Sequence, residues 1–171
     1  MEREAALADF EAARKQWESA FAQVPDEALA YLKAGDDYAL GGLQVHVNWV
    51  LIHYRRVLDG IVAGGFKALG PQDAPGEGDA AGRRAKEGLA KGERPKALDE
   101  MGRLHAAVST AVNRMPAGDW SRKAEVVYGE GQDPYPTSPD DILEWLRDHY
   151  REHVKQSADL VEEWRAAAAQ E

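Results

Sequence analysis

Two histidines four residues apart, in His149-Tyr-Arg-Glu-His153, form the sharpest chemical pattern in the sequence. On a helix, positions i and i+4 lie one above the other, about 6 Å apart along the axis, so both imidazoles can reach one ion. Leu146 and Leu160 fall on the same stripe, which turns the pair toward the apolar side. The string is not HExxH, because Tyr150 stands where that motif has its Glu. It matches the inverted form H-x-x-E-H letter for letter. That protease arrangement also needs a carboxylate ligand far downstream, and only 18 residues follow His153. A di-iron bundle site takes a Glu-x-x-His pair from each of two helices, and the chain contains no Glu-x-x-His. What remains is a three-histidine site whose third member comes from another helix.

The other histidines are His46, His53 and His105, and each falls on an apolar stripe of its own segment. One such histidine is ordinarily a core imidazole satisfied by backbone or water. Five together weigh differently, since each buried imidazole needs a partner or costs on the order of 1–3 kcal/mol. A metal ion satisfies several ring nitrogens at once. Three neutral imidazoles leave a coordination position open to water, thiol or substrate, as in catalytic zinc sites. Imidazole ligation suits zinc and nickel, with copper and iron also compatible. His53 can serve as a pocket base, as the third ligand or as a core residue. His105 can likewise be a core residue, line the pocket or support a ligand. No Ser/His/Asp arrangement and no phosphate-cradling glycine loop accompanies them.

The elements that must carry these residues follow from periodicity and punctuation. Leu7, Phe10, Trp17, Phe21 and Val24 step by three and four, which predicts a helix from about Glu2 to Val24, with Arg14 snorkelling or lining a pocket. Gly35-Asp36-Asp37 precedes a second helix, from about Tyr38 to Phe66, with the stripe Leu43, His46, Val50, His53, Val57, Ile61. GPQDAPGEGDAAG follows, at residues 70–82. Gly, Pro and acidic residues dominate it, so it reads as a mobile polar loop, with a short surface helix possible in RRAKEGLAKGERP. Pro95 opens a third helix that ends near Met115-Pro116, striped by Leu98, Met101, His105, Val108, Val112 and Met115. The connection AGDWSRKAEVVYGEGQDPYPT contains a short extended piece, AEVVY. Ser138-Pro139-Asp140-Asp141 then supplies an N-cap, a first-turn proline and acidic residues for a fourth helix reaching about Ala168. Its stripe is Ile142, Leu146, His149, His153, Gln156, Leu160, Trp164. Tyr150 and Asp148 project to other faces, in packing or solvated roles. The expected fold is all-α: a four-helix bundle with a long polar loop between helices 2 and 3.

Composition narrows the partners. The 171 residues carry 21 Lys+Arg against 30 Asp+Glu and no cysteine. That length suits one domain, residues 1–171, with a core that needs no disulfide. The absent cysteine excludes disulfides, thiolate metal sites and a cysteine nucleophile, so any metal is held by His, Asp or Glu. The net charge of −9 opposes nucleic acid and anionic membranes as partners. The basic residues are scattered, and clusters such as Arg83-Arg84 and those between Lys91 and Lys96 read as solvated. No apolar run reaches the roughly 20 residues of a membrane span, and the charged start MEREAALADFEAARKQW has no signal-like segment. A cytoplasmic protein acting on a small molecule is expected. A homodimer through an apolar helix face is compatible with a bundle of this size.

Two stretches resemble the DinB-like (YfiT-type) family of metal-dependent enzymes, which are four-helix bundles. Tyr38-Ala-Leu-Gly-Gly-Leu-Gln-Val-His46-Val resembles that family's second-helix pattern, and Ser138 to His153 resembles its last-helix histidine pair. The resemblance implies His46, His149 and His153 as ligands of one divalent metal. It further implies hydrolysis, or transfer to a low-molecular-weight thiol such as glutathione, bacillithiol or mycothiol. The alternative is a bundle that binds a metal or small ligand without turnover. Three departures stand out: Tyr38 replaces the usual Trp, Gly41-Gly42 weakens the helix start, and the acidic insertion at residues 70–82 is long.

Overall fold

The computed structural model describes residues 1–171. The chain is mostly helical, with a small two-stranded ribbon. The elements in order are α1 (Arg3–Ala22), α2 (Gly42–Ala63), α3 (Glu77–Glu87), α4 (Arg94–Arg114), β1 (Ala124–Val126), β2 (Tyr135–Thr137) and α5 (Pro139–Ala168). The four long helices are those expected from the stripes. Helix α1 lies along α5, and α2 packs against α3, α4 and α5. No helix is long and apolar enough to cross a membrane.

The polar stretch after α2 departs from expectation. Rather than remaining a loop too polar to pack, its second half enters α3. Gly76, at φ 79°, turns the chain into the helix, and the Glu77 carboxylate accepts from the Ala74 amide. Small size is what lets this polar helix dock: Ala81 and Ala85 are its only buried residues, and Ala85 meets the start of α2. A Cβ on Gly42 would stand 1.6 Å from the Ala85 carbonyl oxygen. Of the glycine pair that reads as a weak helix start, Gly42 is therefore the surface on which α3 lies, while Gly41 faces Leu29 and Leu89. The Ala39 amide donates to that same carbonyl at 3.1 Å.

The core runs through all the long helices. Phe10, Trp17 and Phe21 of α1 are fully buried, with Leu43, Leu51 and Ile61 of α2, Met101 and Val108 of α4, and Ile142 and Leu146 of α5. One polar chain crosses it. Trp17 Nε1 donates to Gln44 Oε1 at 2.8 Å, Gln44 Nε2 donates to Asn48 Oδ1 at 2.9 Å, and Asn48 Nδ2 donates to the Ala97 carbonyl at 3.0 Å. Each buried donor is thereby matched, and α1, α2 and α4 are tied in one register.

The histidine-bearing helix begins as its cap residues dictate. Ser138 Oγ accepts from the Asp141 amide, and the Asp141 carboxylate accepts from the Ser138 amide. This reciprocal pair satisfies two amides that the first turn leaves without partners. The ribbon just before α5 pairs Ala124 with Thr137 and Val126 with Tyr135. Leu69, beyond the end of α2, joins it through bonds with Glu125 and Val127.

Candidate metal centre

Helices α2 and α5 run antiparallel where they touch, as their contacts show: His46, near the start of α2, meets His149, and Tyr54, two turns later, meets Trp145, one turn earlier. This places the imidazoles of His46, His149 and His153 around one point. His149 Nε2 lies 3.0 Å from His46 Nε2 and 2.9 Å from His153 Nε2. The three potential ligand atoms all lie within 4.8 Å of one another. His153 is buried, whereas His46 and His149 are half-buried, so the cluster sits at the rim of the core with one side toward solvent. The α2 stripe of His46, Val50 and His53 runs along the edge of the helix's buried face. The centre of that face is Leu43, Val47 and Leu51.

Neighbours hold each ring. His153 Nδ1 donates to Gln156 Oε1 at 2.7 Å, which makes its Nε2 a lone pair facing the cluster. The Tyr38 ring stacks on His46 with centroids 4.3 Å apart, and the edge of Trp17 meets His153 at 6.2 Å. Burial, and next the neighbouring His153, pushes His46 down to about 4. Burial, with His153 and His46 beside it, pushes His149 down to about 2. His153 is also lowered by burial. The three rings are thus neutral near pH 7, the state in which imidazole binds a metal.

The donor set fits a divalent cation. With His153 Nε2 a lone pair, His149 Nε2 would have to donate to it and accept from His46 Nε2. One ring nitrogen cannot do both, so the three cannot each form a full hydrogen bond with its neighbours. Nitrogens on one zinc ion, at about 2.1 Å each, stand about 3.4 Å apart in a tetrahedral arrangement. Two of the observed spacings, 3.0 and 2.9 Å, are a few tenths of an ångström shorter than that, and all three ligand atoms lie within 4.8 Å of one another.

The remaining histidines lie elsewhere. His53 is half-buried, with Nδ1 2.5 Å from Asp73 Oδ2. Arg56 donates to both Asp73 and Glu77, which holds the Asp73 carboxylate beside the ring. His105 is buried among α1, α4 and α5, stacked on Phe10 at 3.9 Å, with Nδ1 3.0 Å from the Tyr150 hydroxyl. Its Nε2 lies 2.8 Å from Glu11 Oε2 but out of line for a hydrogen bond. Burial outweighs Glu11 and lowers His105 to about 4. Tyr150 packs at 1% exposure, whereas Asp148 is exposed and pairs with Arg147. Arg14 spans Glu11 and Glu18 on the flank of α1.

Two supporting residues carry little sequence signal. Gln156 sits on the α5 stripe one turn after His153, and that spacing is its only advance mark. Asp73 is 20 residues from His53, inside the polar stretch, and only the folded chain brings the two together.

In this mostly helical chain the three imidazoles that converge between α2 and α5 form a cluster that could hold a metal ion. The sequence matches the DinB superfamily over residues 9–157. The chain belongs to that family. No curated protein matches it.

Proposed function

We propose that this protein is a metal-dependent enzyme, a hydrolase or thiol S-transferase acting on a small molecule, with His46, His149 and His153 as the ligands of one divalent cation. The observation that carries this reading is the convergence of three neutral Nε2 atoms at one rim of the core. Zinc or nickel suits the all-imidazole set. When bound, the ion would supply Lewis acidity toward a water, a carbonyl or a thiol. The chain's own residues prepare the centre. Gln156 fixes the tautomer of His153, Tyr38 holds the plane of His46, and Trp17 screens the buried side from water. Because the chain has no cysteine, a thiol nucleophile would come from a low-molecular-weight cosubstrate.

On the same reading the four long helices form a DinB-type four-helix bundle, and residues 1–171 make one domain. The protein works in the cytoplasm, alone or as a homodimer. Nucleic acid and membranes are not its partners, in keeping with the net charge of −9.

The test is elemental analysis of protein purified without a histidine tag. About one ion per chain is expected for wild type, and little for His149→Ala or His153→Ala. Retention of the same metal by both variants would sink the ligand assignment. Low-molecular-weight thiols and electrophilic substrates are then screened with the loaded protein. Turnover must exceed that of the triple variant His46→Ala, His149→Ala, His153→Ala, or the enzyme reading fails.

A further inference from the structure

Four aromatic rings form an arc at one end of the α2–α5 seam. Tyr128, Tyr54, Trp145 and Tyr135 follow one another around it, with centroids 6.5, 5.7 and 6.0 Å apart. Each comes from a different part of the chain: the segment after β1, α2, α5 and β2. The arc walls an open cup of about 490 Å³, whose remaining lining is Gln132 and Asp133.

The arc is braced. The Tyr128 hydroxyl lies 2.7 Å from Thr137 Oγ1, and Thr137 Oγ1 donates to the Tyr135 carbonyl at 3.1 Å. Thr137 is itself fully buried as the last residue of β2, next to the Ser138 cap of α5, so the rings on the ribbon are referenced to the helix that carries Trp145. Tyr54 and Trp145 are half-buried against the core, and Tyr135 keeps 57% of its surface in solvent. The walls are therefore positioned before any ligand arrives, which lowers the ordering cost of binding.

The electrostatics select a charge type. Aromatic faces carry the negative part of the ring quadrupole and attract a cation placed within about 6 Å of the centroid. Asp133 is the only charged residue in the lining, which holds no Lys or Arg. An anion would meet that carboxylate with no basic partner, and a neutral apolar ligand would make no use of it. An alkylated ammonium group uses both parts of the cup, since its methyl groups pack on the rings while its charge is balanced at the rim. We propose that this cup is a binding site for a small organic cation bearing an alkylated ammonium group. Tyr54, Tyr128, Tyr135 and Trp145 enclose the head group, and Asp133 is its counter-ion. No cup residue belongs to the three-histidine cluster, so the site stands independently of the metal.

The experiment is an NMR titration of the metal-free, 15N-labelled chain, following the Trp145 indole resonance, which is assigned with Trp145→Phe. Choline and tetramethylammonium are the probes, sodium chloride is the salt control, and 3,3-dimethylbutan-1-ol is the neutral isostere of choline. Saturable shifts are expected for both cations, with the neutral isostere binding about fivefold or more weakly. Asp133→Asn and Tyr135→Ala are each expected to weaken choline by a similar factor, about fivefold. Both positions are exposed, and an unchanged circular dichroism melt checks that the fold is intact. Equal affinity for the neutral isostere, shifts that do not saturate, or wild-type affinity in both variants would each overturn the proposal.

Discussion

His153 Nδ1 lies 2.7 Å from the carboxamide oxygen of Gln156, one turn further along α5. The contact assigns the ring proton to Nδ1 and leaves Nε2 as a lone pair aimed at His149 and His46. A ligand's ring nitrogen is oriented in this way by a partner on its other nitrogen, and losing such a partner typically weakens metal affinity about 10- to 100-fold.

Gln156→Leu is therefore expected to lower metal affinity by about that factor while leaving helix content unchanged. Competition with a chelating indicator measures it. Wild-type affinity in the variant would mean that the carboxamide does not govern the tautomer.

The buried histidines set an acid limit on the metal-free fold. His46 and His105 are held down to about 4, and His149 to about 2, chiefly by burial. In the unfolded chain a histidine takes its proton near pH 6.5, roughly. Between those values the unfolded state binds more protons, so stability falls as the pH falls. From about one unit above pH 6.5, neither state is appreciably protonated and these groups contribute little slope. The urea midpoint should be nearly flat from about pH 8 to 7.5 and drop between about 6.5 and 5, before the carboxylates titrate. An equal midpoint at pH 7.5 and pH 5 would contradict neutral buried imidazoles.

Two glycines should respond in opposite directions to alanine. At Gly42 a Cβ would stand 1.6 Å from the Ala85 carbonyl oxygen, so Gly42→Ala forces α3 away from α2. A loss of about 1–3 kcal/mol, with earlier hydrogen exchange in α3, is expected. Gly82 lies within α3 with nothing near its Cβ position, and Gly82→Ala should gain about 0.5–1 kcal/mol from helix propensity. Urea denaturation of the two variants decides the matter.

Trp17 is fully buried, and its indole N–H is the donor to Gln44 Oε1. Trp17→Phe keeps an aromatic ring but leaves that oxygen without its donor. The expected cost is about 1–3 kcal/mol in chemical denaturation. A change below about 0.5 kcal/mol would show that the bond contributes little.

Local order was legible wherever it depends on near neighbours in the chain. Ser138, Pro139 and Asp141 announce the start of α5, and the capping pair forms between those residues. The stripe of Phe10, Trp17 and Phe21 marks the buried face of α1. On α2 the stripe through His46 and His53 follows the rim of the buried face, because Gln44 and Asn48 turn inward to make the polar chain with Trp17. A hydrophobicity pattern scores those two amides as outward. The acidic insertion misleads for a related reason: α3 is polar almost throughout and docks through two alanines onto a glycine, a contact of backbone shape rather than apolar area.

From sequence alone come the four amphipathic helices, the cap of α5, the exclusion of cysteine chemistry and the spacing that stacks His149 beneath His153. All of these rest on residue type or on repeats of three and four positions, which a helix converts directly into faces. Periodicity left open which histidine joins that pair; the family resemblance pointed to His46, and tertiary structure brings His46 there while sending His53 to Asp73 and His105 to Tyr150. All three histidines occupy similar stripe positions, so periodicity treats them alike. The antiparallel meeting of α2 with α5 distinguishes them, because it sets which turn of one helix lies opposite which turn of the other.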